Sequence, residues 1–269
     1  MQKTEEMVEM SEKKRPVAVI DSGLGGISVL NHLLTQLPNE DFVYFGDTAN
    51  APYGSKNTED VLELTVRNIR MLAEKYFAKA VVIACNTATG AAAEKCRELF
   101  TNMPIIGIEP AIKPAVTKSG KDDPKVLVMA TPLTLSQEKF VHLAEKYNPN
   151  ADLIPLPCPG LSQVIEEGAD EKKVNALLKK LFADIDCENI DAVVLGCTHY
   201  PLVSDSISKY FAGAVIYDGG LGTAVQTKRR LSELNLLENG TEKGKLTIIN
   251  SSEDKNFEIL ARRYIEICS

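Results

Sequence analysis

Nine short apolar runs punctuate this sequence, and most neighbouring runs are separated by a stretch with helical spacing. The runs are VAVID (17–21), FVYFG (42–46), AVVIA (80–84), IIGIE (105–109), KVLVMA (125–130), LIPLP (153–157), AVVLG (192–196), AVIYD (214–218) and LTIIN (246–250). Such alternation implies βα units and mainly parallel sheets. The clearest helical stretch is TEDVLELTVRNIRMLAEKYFA (58–78). Its Val61, Leu62, Val66, Ile69, Leu72 and Phe77 fall on one broad face, and its Thr-Glu-Asp opening is a helix-start signal. Nine strands suit one wide sheet or two smaller ones. The polar stretch TKSGKDDPK (117–125) is the best linker, and DGGLG (218–222) is a second break. The expected architecture is α/β: two doubly wound domains with mainly parallel sheets. A discontinuous first domain spans 16–112 and 222–269, a second spans 113–221, and a charged tail covers 1–15. The pair DSGLGG (21–26) and DGGLGT (218–223) hints at a duplicated half.

The 269 residues are enough for two domains of ordinary size, and 44% hydrophobic with 25% charged residues is a soluble globular composition. A net charge of −7 argues against nucleic acid and against anionic membrane surfaces as partners, because phosphate binding needs a basic face. The N-terminus MQKTEEMVEMSEKKRP has no signal-peptide core, and no later run is long enough to span a bilayer. A cytoplasmic location is expected. In that compartment the six cysteines stay reduced, and none forms a C-x-x-C pair.

In open parallel sheets, ligands bind beyond the carboxyl ends of the strands. Here those ends carry short polar residues: Asp21-Ser22-Gly23, Asp47-Thr48, Cys85-Asn86-Thr87 and Cys197-Thr198-His199, with Pro52-Tyr53-Gly54 shortly after the second. With the N–H groups of following helix starts, they suit a small carboxylate. DSGLGGISV fails as a dinucleotide fingerprint, because Ser28 stands where the third glycine belongs. No P-loop is present, and no lysine sits at a strand end as a pyridoxal phosphate anchor would.

Two cysteines in matching contexts, Cys85 and Cys197, suggest a pair with one job. A strand-end thiol facing a helix start has a stabilised thiolate. Two such thiols at one cleft suit stereoinversion: one removes a proton from carbon while the other delivers one to the opposite face. The α-proton of an amino acid is only weakly acidic, so the site must stabilise the developing carbanion or desolvate the thiolate. No metal and no organic cofactor are expected. Cys96, Cys187 and Cys268 read as structural, Cys158 as packing, and His32 and His142 as structural. Asp21 has an alternative role as a helix cap.

DSGLGG (21–26), GDTANAPYG (46–54), CNTAT (85–89) and GCTHYPL (196–202) together resemble the glutamate racemases of the cofactor-independent aspartate/glutamate racemase superfamily. The resemblance covers nearly all of the chain after about residue 16. It implies two α/β domains with the active site between them, interconversion of L- and D-glutamate, and supply of D-glutamate for peptidoglycan. It implies Cys85 and Cys197 as the two bases, with Asp21 assisting Cys85 and His199 assisting Cys197. Glu166 matches a glutamate supporting the histidine, with Glu167 as the neighbouring alternative. Ser22, Tyr53, Gly54, Asn86, Thr87, Thr198 and His199, with Asp21, would hold glutamate. A homodimer is expected, as such assemblies are common in the family. Asn50 departs from the basic residue often found just before the PYG segment. Other readings are a racemase of another amino acid such as aspartate, a Cys197–His199 hydrolase, a redox pair of cysteines, and a carboxylate-binding protein.

Overall fold

A computed structural model describes residues 12–252 and 254–267; most of the charged tail and Cys268 lie outside them. Among the described residues are nine strands: β1 (Val17–Asp21), β2 (Phe42–Gly46), β3 (Ala80–Ile83), β4 (Ile105–Gly107), β5 (Lys125–Ala130), β6 (Asp152–Pro157), β7 (Ala192–Leu195), β8 (Val215–Asp218) and β9 (Leu246–Asn250). All nine apolar runs form strands. They build two sheets, in the orders β4-β3-β1-β2-β9 and β6-β5-β7-β8. Every pairing is parallel.

The helices are α1 (Ile27–Gln36), α2 (Thr58–Tyr76), α3 (Asn86–Leu99), α4 (Ile112–Thr117), α5 (Pro132–Ser136), α6 (Glu138–Tyr147), α7 (Leu161–Glu166), α8 (Glu171–Leu181), α9 (Ser204–Ser208), α10 (Gly220–Glu233) and α11 (Lys255–Ile267). They cover both faces of each sheet, so the central strands are buried on both sides and need continuous apolar sequence. Val17 to Ile20, Ala80 to Ile83 and Val126 to Met129 are all fully buried. Each such Val, Leu or Ile contributes roughly 1.5–3 kcal/mol relative to exposure. Two apolar clusters flank the first sheet and two flank the second.

The chain leaves the first sheet after β4, builds the second, and comes back through α10, which packs on α1, and β9, which pairs with β2. The polar stretch 117–125 does not join the two halves. It connects α4 to β5 within the second half, where α4 already packs on β5, β7 and β8. The join lies just before α4, in a segment too apolar to read as a linker.

Helix α2 is capped one residue earlier than its opening suggested: the Asn57 side chain accepts from the Asp60 N–H at 2.7 Å. It ends at Tyr76, and Phe77 takes the left-handed cap conformation, with φ of 54°. Phe77 is thus off the helical face assigned to it. Thr65 and Asn68 are buried on that face instead.

Candidate active site

A cavity of about 260 Å³ lies between the two sheets at the carboxyl ends of their strands. Cys85, Asn86 and Thr87 reach it from the end of β3, Thr131 from the end of β5, and Cys197, Thr198 and His199 from the end of β7. Ser22, Tyr53, Gly54 and Glu166 complete most of the wall. Of the strand-end residues predicted from sequence, Asp21, Gly23 and Asp47 are absent from the lining; Asp21 lies just beneath, fully buried.

Cys85 is the N-cap of α3. Its sulfur accepts from the Ala88 N–H at 3.5 Å and lies 3.9 Å from Ser22 Oγ. Burial, reinforced by the Asp21 charge, pushes the Cys85 thiol up to about 12, against the pull of the Ala88 N–H. Asp21 makes no hydrogen bond to Cys85. Its Oδ1 accepts from the Gly23 N–H at 2.9 Å and its Oδ2 from Thr198 Oγ1 at 3.0 Å. Asp21 therefore shapes a turn and ties the two halves together; the cap of α1 is Gly26, with no side-chain bond. Burial raises the Asp21 carboxyl, only partly offset by the His199 charge.

Cys197 has different company. Its sulfur lies 3.8 Å from His199 Nδ1, and His199 Nε2 donates to Glu166 Oε2 at 2.6 Å. Glu166 also accepts the Leu24 N–H at 3.0 and 2.9 Å. Burial opposes charge on His199, but its bonds to Cys197 and then Glu166 raise its pKa well above the ordinary range. Burial likewise pushes Glu166 up, and its bond to His199, the histidine charge and the Leu24 N–H bring it below its usual value. Glu167 is exposed, and its Oε1 accepts from Gln163 at 3.1 Å. With Nε2–H committed to Glu166, neutral His199 presents Nδ1 as an acceptor to the Cys197 S–H; once protonated, it donates back to the thiolate. The element after Cys197 is a short 3₁₀ turn, Tyr200–Val203, rather than the α-helix start expected from the Cys85 context.

The glycines of DSGLGG open space for these partners instead of cradling a dinucleotide. A Cβ at Gly23 would sit 2.5 Å from both Glu166 oxygens, and one at Gly25 would run into the His199 ring. Gly54 brings its loop against Thr131, where a Cβ would meet the Thr131 Cβ at 2.8 Å.

Tyr53 donates to Asp47 Oδ2 at 2.6 Å, and Asn68 Nδ2 donates to the same oxygen at 2.9 Å. Burial and the Asp47 charge hold the Tyr53 phenol far above its usual range. Thr87 Oγ1 lies 3.1 Å from Thr131 Oγ1 and 3.0 Å from Thr134 Oγ1, and Gln137 Nε2 donates to the Thr87 carbonyl at 3.0 Å. Asn86 Oδ1 is buried with no hydrogen-bond partner among the described residues, so it is free to accept from a ligand.

Thr131 and Gln137 escaped the sequence reading. Thr131 follows KVLVMA directly, so the strand-end rule was enough to find it. Gln137 had no such signal, because it sits between two helices. Cys158 and Cys96 pack in apolar clusters and do not line the cavity. His32 is half-buried, 3.8 Å from Asp218, and His142 is exposed on α6.

The family model for Asp/Glu/hydantoin racemases matches residues 18–227. The chain is 46% identical to the glutamate racemase of Clostridium acetobutylicum over 259 residues, covering 96% of this chain and 100% of that protein. The solved glutamate racemase of Francisella tularensis, in complex with D-glutamate, superposes with a TM-score of 0.80 at 29% identity, covering 94% of each chain. A glutamate racemase isoform from Bacillus anthracis gives 0.82 at 28% identity over 94% of this chain and 95% of that one. A two-sheet parallel fold, a strand-end cavity with a thiol from each half, and these likenesses place the chain in the Asp/Glu/hydantoin racemase family, among its glutamate racemases.

Proposed function

We propose that the chain interconverts L- and D-glutamate by a two-base transfer between Cys85 and Cys197. The observation that carries this reading is one cavity with two buried thiols, one contributed by each half. One sulfur, as thiolate, takes the α-proton; the electron pair stays on Cα and spreads into the α-carboxylate. The other thiol gives its proton to the opposite face, and the roles exchange for the reverse reaction. His199, held by Glu166, serves Cys197 by taking or returning its proton. Asp21 acts on Cys85 through its charge alone, since no hydrogen bond joins them.

Ser22, Tyr53, Gly54, Asn86, Thr87, Thr198 and His199 hold the substrate. The Asn86 carbonyl oxygen suits the α-ammonium, and hydroxyls with backbone N–H groups suit the carboxylates. Among these buried side chains the low dielectric strengthens every such bond to the carbanion. The enzyme works in the cytoplasm and supplies D-glutamate for peptidoglycan. It assembles as a homodimer, for which Leu221 and Val225, exposed one turn apart on α10, offer an apolar face; sedimentation at micromolar concentration checks this.

The test of the activity is incubation of the purified protein with L-glutamate, and separately with L-aspartate, without pyridoxal phosphate or added metal. Formation of D-glutamate alone supports the reading. D-aspartate in its place, or no D-enantiomer at all, contradicts it.

A further inference from the structure

Tyr44 is a buried phenol to which the two-base reaction gives no task. It lies in the middle of β2, paired with Val19 of β1 on one side and Ile248 of β9 on the other, and it is 0% exposed. Its hydroxyl donates to the Gly23 carbonyl at 2.7 Å. The other end of that same peptide group is the Leu24 N–H, which donates to Glu166. From Glu166 the path continues to His199 and then to Cys197. An unbroken line of polar contacts therefore runs from the core of the first sheet to the thiol of the second half, through one peptide.

A peptide group is rigid and planar, so fixing its carbonyl fixes its N–H. A bond donated to the carbonyl also polarises the group and strengthens its N–H as a donor. Here that N–H serves a carboxylate, where hydrogen bonds are charge-assisted and strong. The glycines keep the path clear. Besides those at 23 and 25, a Cβ at Gly26 would lie 2.8 Å from the Tyr44 hydroxyl. Burial, with the Asp21 and Glu166 charges, holds the Tyr44 phenol well above its usual range, so it keeps its proton and stays a donor.

We propose that Tyr44 is a positioning residue for the Cys197 side of the reaction. Its hydroxyl orients the Gly23–Leu24 peptide so that the Leu24 N–H holds Glu166 against His199. The inference rests on the two-thiol reading of the site. Tyr44 also stacks on Phe257 with ring centroids 6.3 Å apart, a packing role that Tyr44→Phe preserves.

The experiment measures kcat/KM for Tyr44→Phe with α-protonated and α-deuterated L- and D-glutamate. The enantiomers are equal in energy, so kcat/KM falls equally in both directions, by about ten-fold for one lost hydrogen bond to a buried carbonyl. The isotope effects separate. A higher barrier on the Cys197 side raises the effect for the enantiomer that Cys197 deprotonates and masks it for the other. Tyr44→Phe should shift the two effects in the same sense as Cys197→Ser and in the opposite sense to Cys85→Ser.

Unchanged turnover, or reduced turnover with both isotope effects at wild-type values, would overturn the proposal; the second result is what a loss of folded enzyme produces. A second variant guards the conclusion. If Tyr44 acts through Glu166, adding Tyr44→Phe to Glu166→Gln costs less than about two-fold more. A further ten-fold loss there would overturn it. If the two cysteine variants fail to move the isotope effects in opposite senses, the two-thiol reading itself is wrong and the inference falls with it.

Discussion

Cys85 and Cys197 end equivalent strands in two similar halves, yet their surroundings have little in common. Cys85 caps a long helix, with a backbone N–H and a serine hydroxyl nearby and a buried carboxyl within electrostatic reach. Cys197 faces a histidine backed by a glutamate, and that glutamate is held by the other half of the molecule. The two thiols exchange roles without sharing an environment. A backbone N–H at a helix start faces one sulfur and an imidazole faces the other. The difference also ties one side across the molecule: Glu166, the partner of His199, is held by the Leu24 N–H of the first half.

The largest expected effect breaks both sides at once. Cys85→Ser and Cys197→Ser each lower kcat/KM for racemisation by at least about 10³-fold, and their combination costs little more than either alone, since neither thiol finishes the reaction without the other. Chiral chromatography of the products measures this.

Next comes Glu166→Gln, which acts on one side only. It lowers kcat by about 10²-fold. It also removes the anion that holds a proton on His199, so the limb of the pH–rate profile belonging to His199 moves to lower pH. Asp21→Asn leaves that limb closer to its place, because Asp21 makes no hydrogen bond to His199.

A smaller effect is expected from Gly25→Ala, whose methyl group displaces the His199 ring. It costs roughly 1–3 kcal/mol of stability by denaturant titration and about ten-fold in turnover. The smallest effect sharpens the Cys85 side. Its thiol is raised from 9.0 to about 12 in the folded protein. Between those values the unfolded chain has lost a proton that the folded one keeps, so this thiol makes stability fall as pH rises. The slope for one thiol is at most about 1.4 kcal/mol per pH unit. Cys85→Ala therefore loses less stability than wild type between pH 9 and 10, by about 1 kcal/mol.

Much of this was legible in the sequence, for identifiable reasons. Strands buried on both faces need continuous apolar runs, so β1, β2, β3, β5 and β7 announced themselves, and the more exposed β6, β8 and β9 carry enough apolar residues to read the same way. Polar residues directly after such runs marked the cavity, and Cys85 and Cys197 stood out by their matching context. What escaped depends on contacts between distant segments. Tyr44 reads as one more core aromatic of β2; only the fold places its hydroxyl under Gly23. Gly23 and Gly25 read as a failed nucleotide fingerprint, because their purpose is set by Glu166 and His199 some 140 to 175 positions away. The choice between Glu166 and Glu167 as the partner of His199 needed the rotation of α7, which fixes which of two adjacent carboxylates reaches the imidazole. The stretch 117–125 misled as a linker because polarity marks a surface loop wherever it lies.

The central claim is that two thiols divide the proton transfer, and the most direct test runs L-glutamate in D₂O to low conversion. Two bases predict D-glutamate carrying solvent deuterium at Cα while the recovered L-glutamate keeps its proton. Deuterium appearing in recovered L-glutamate as fast as in the product would mean that one group serves both faces, which contradicts a division of the transfer between Cys85 and Cys197.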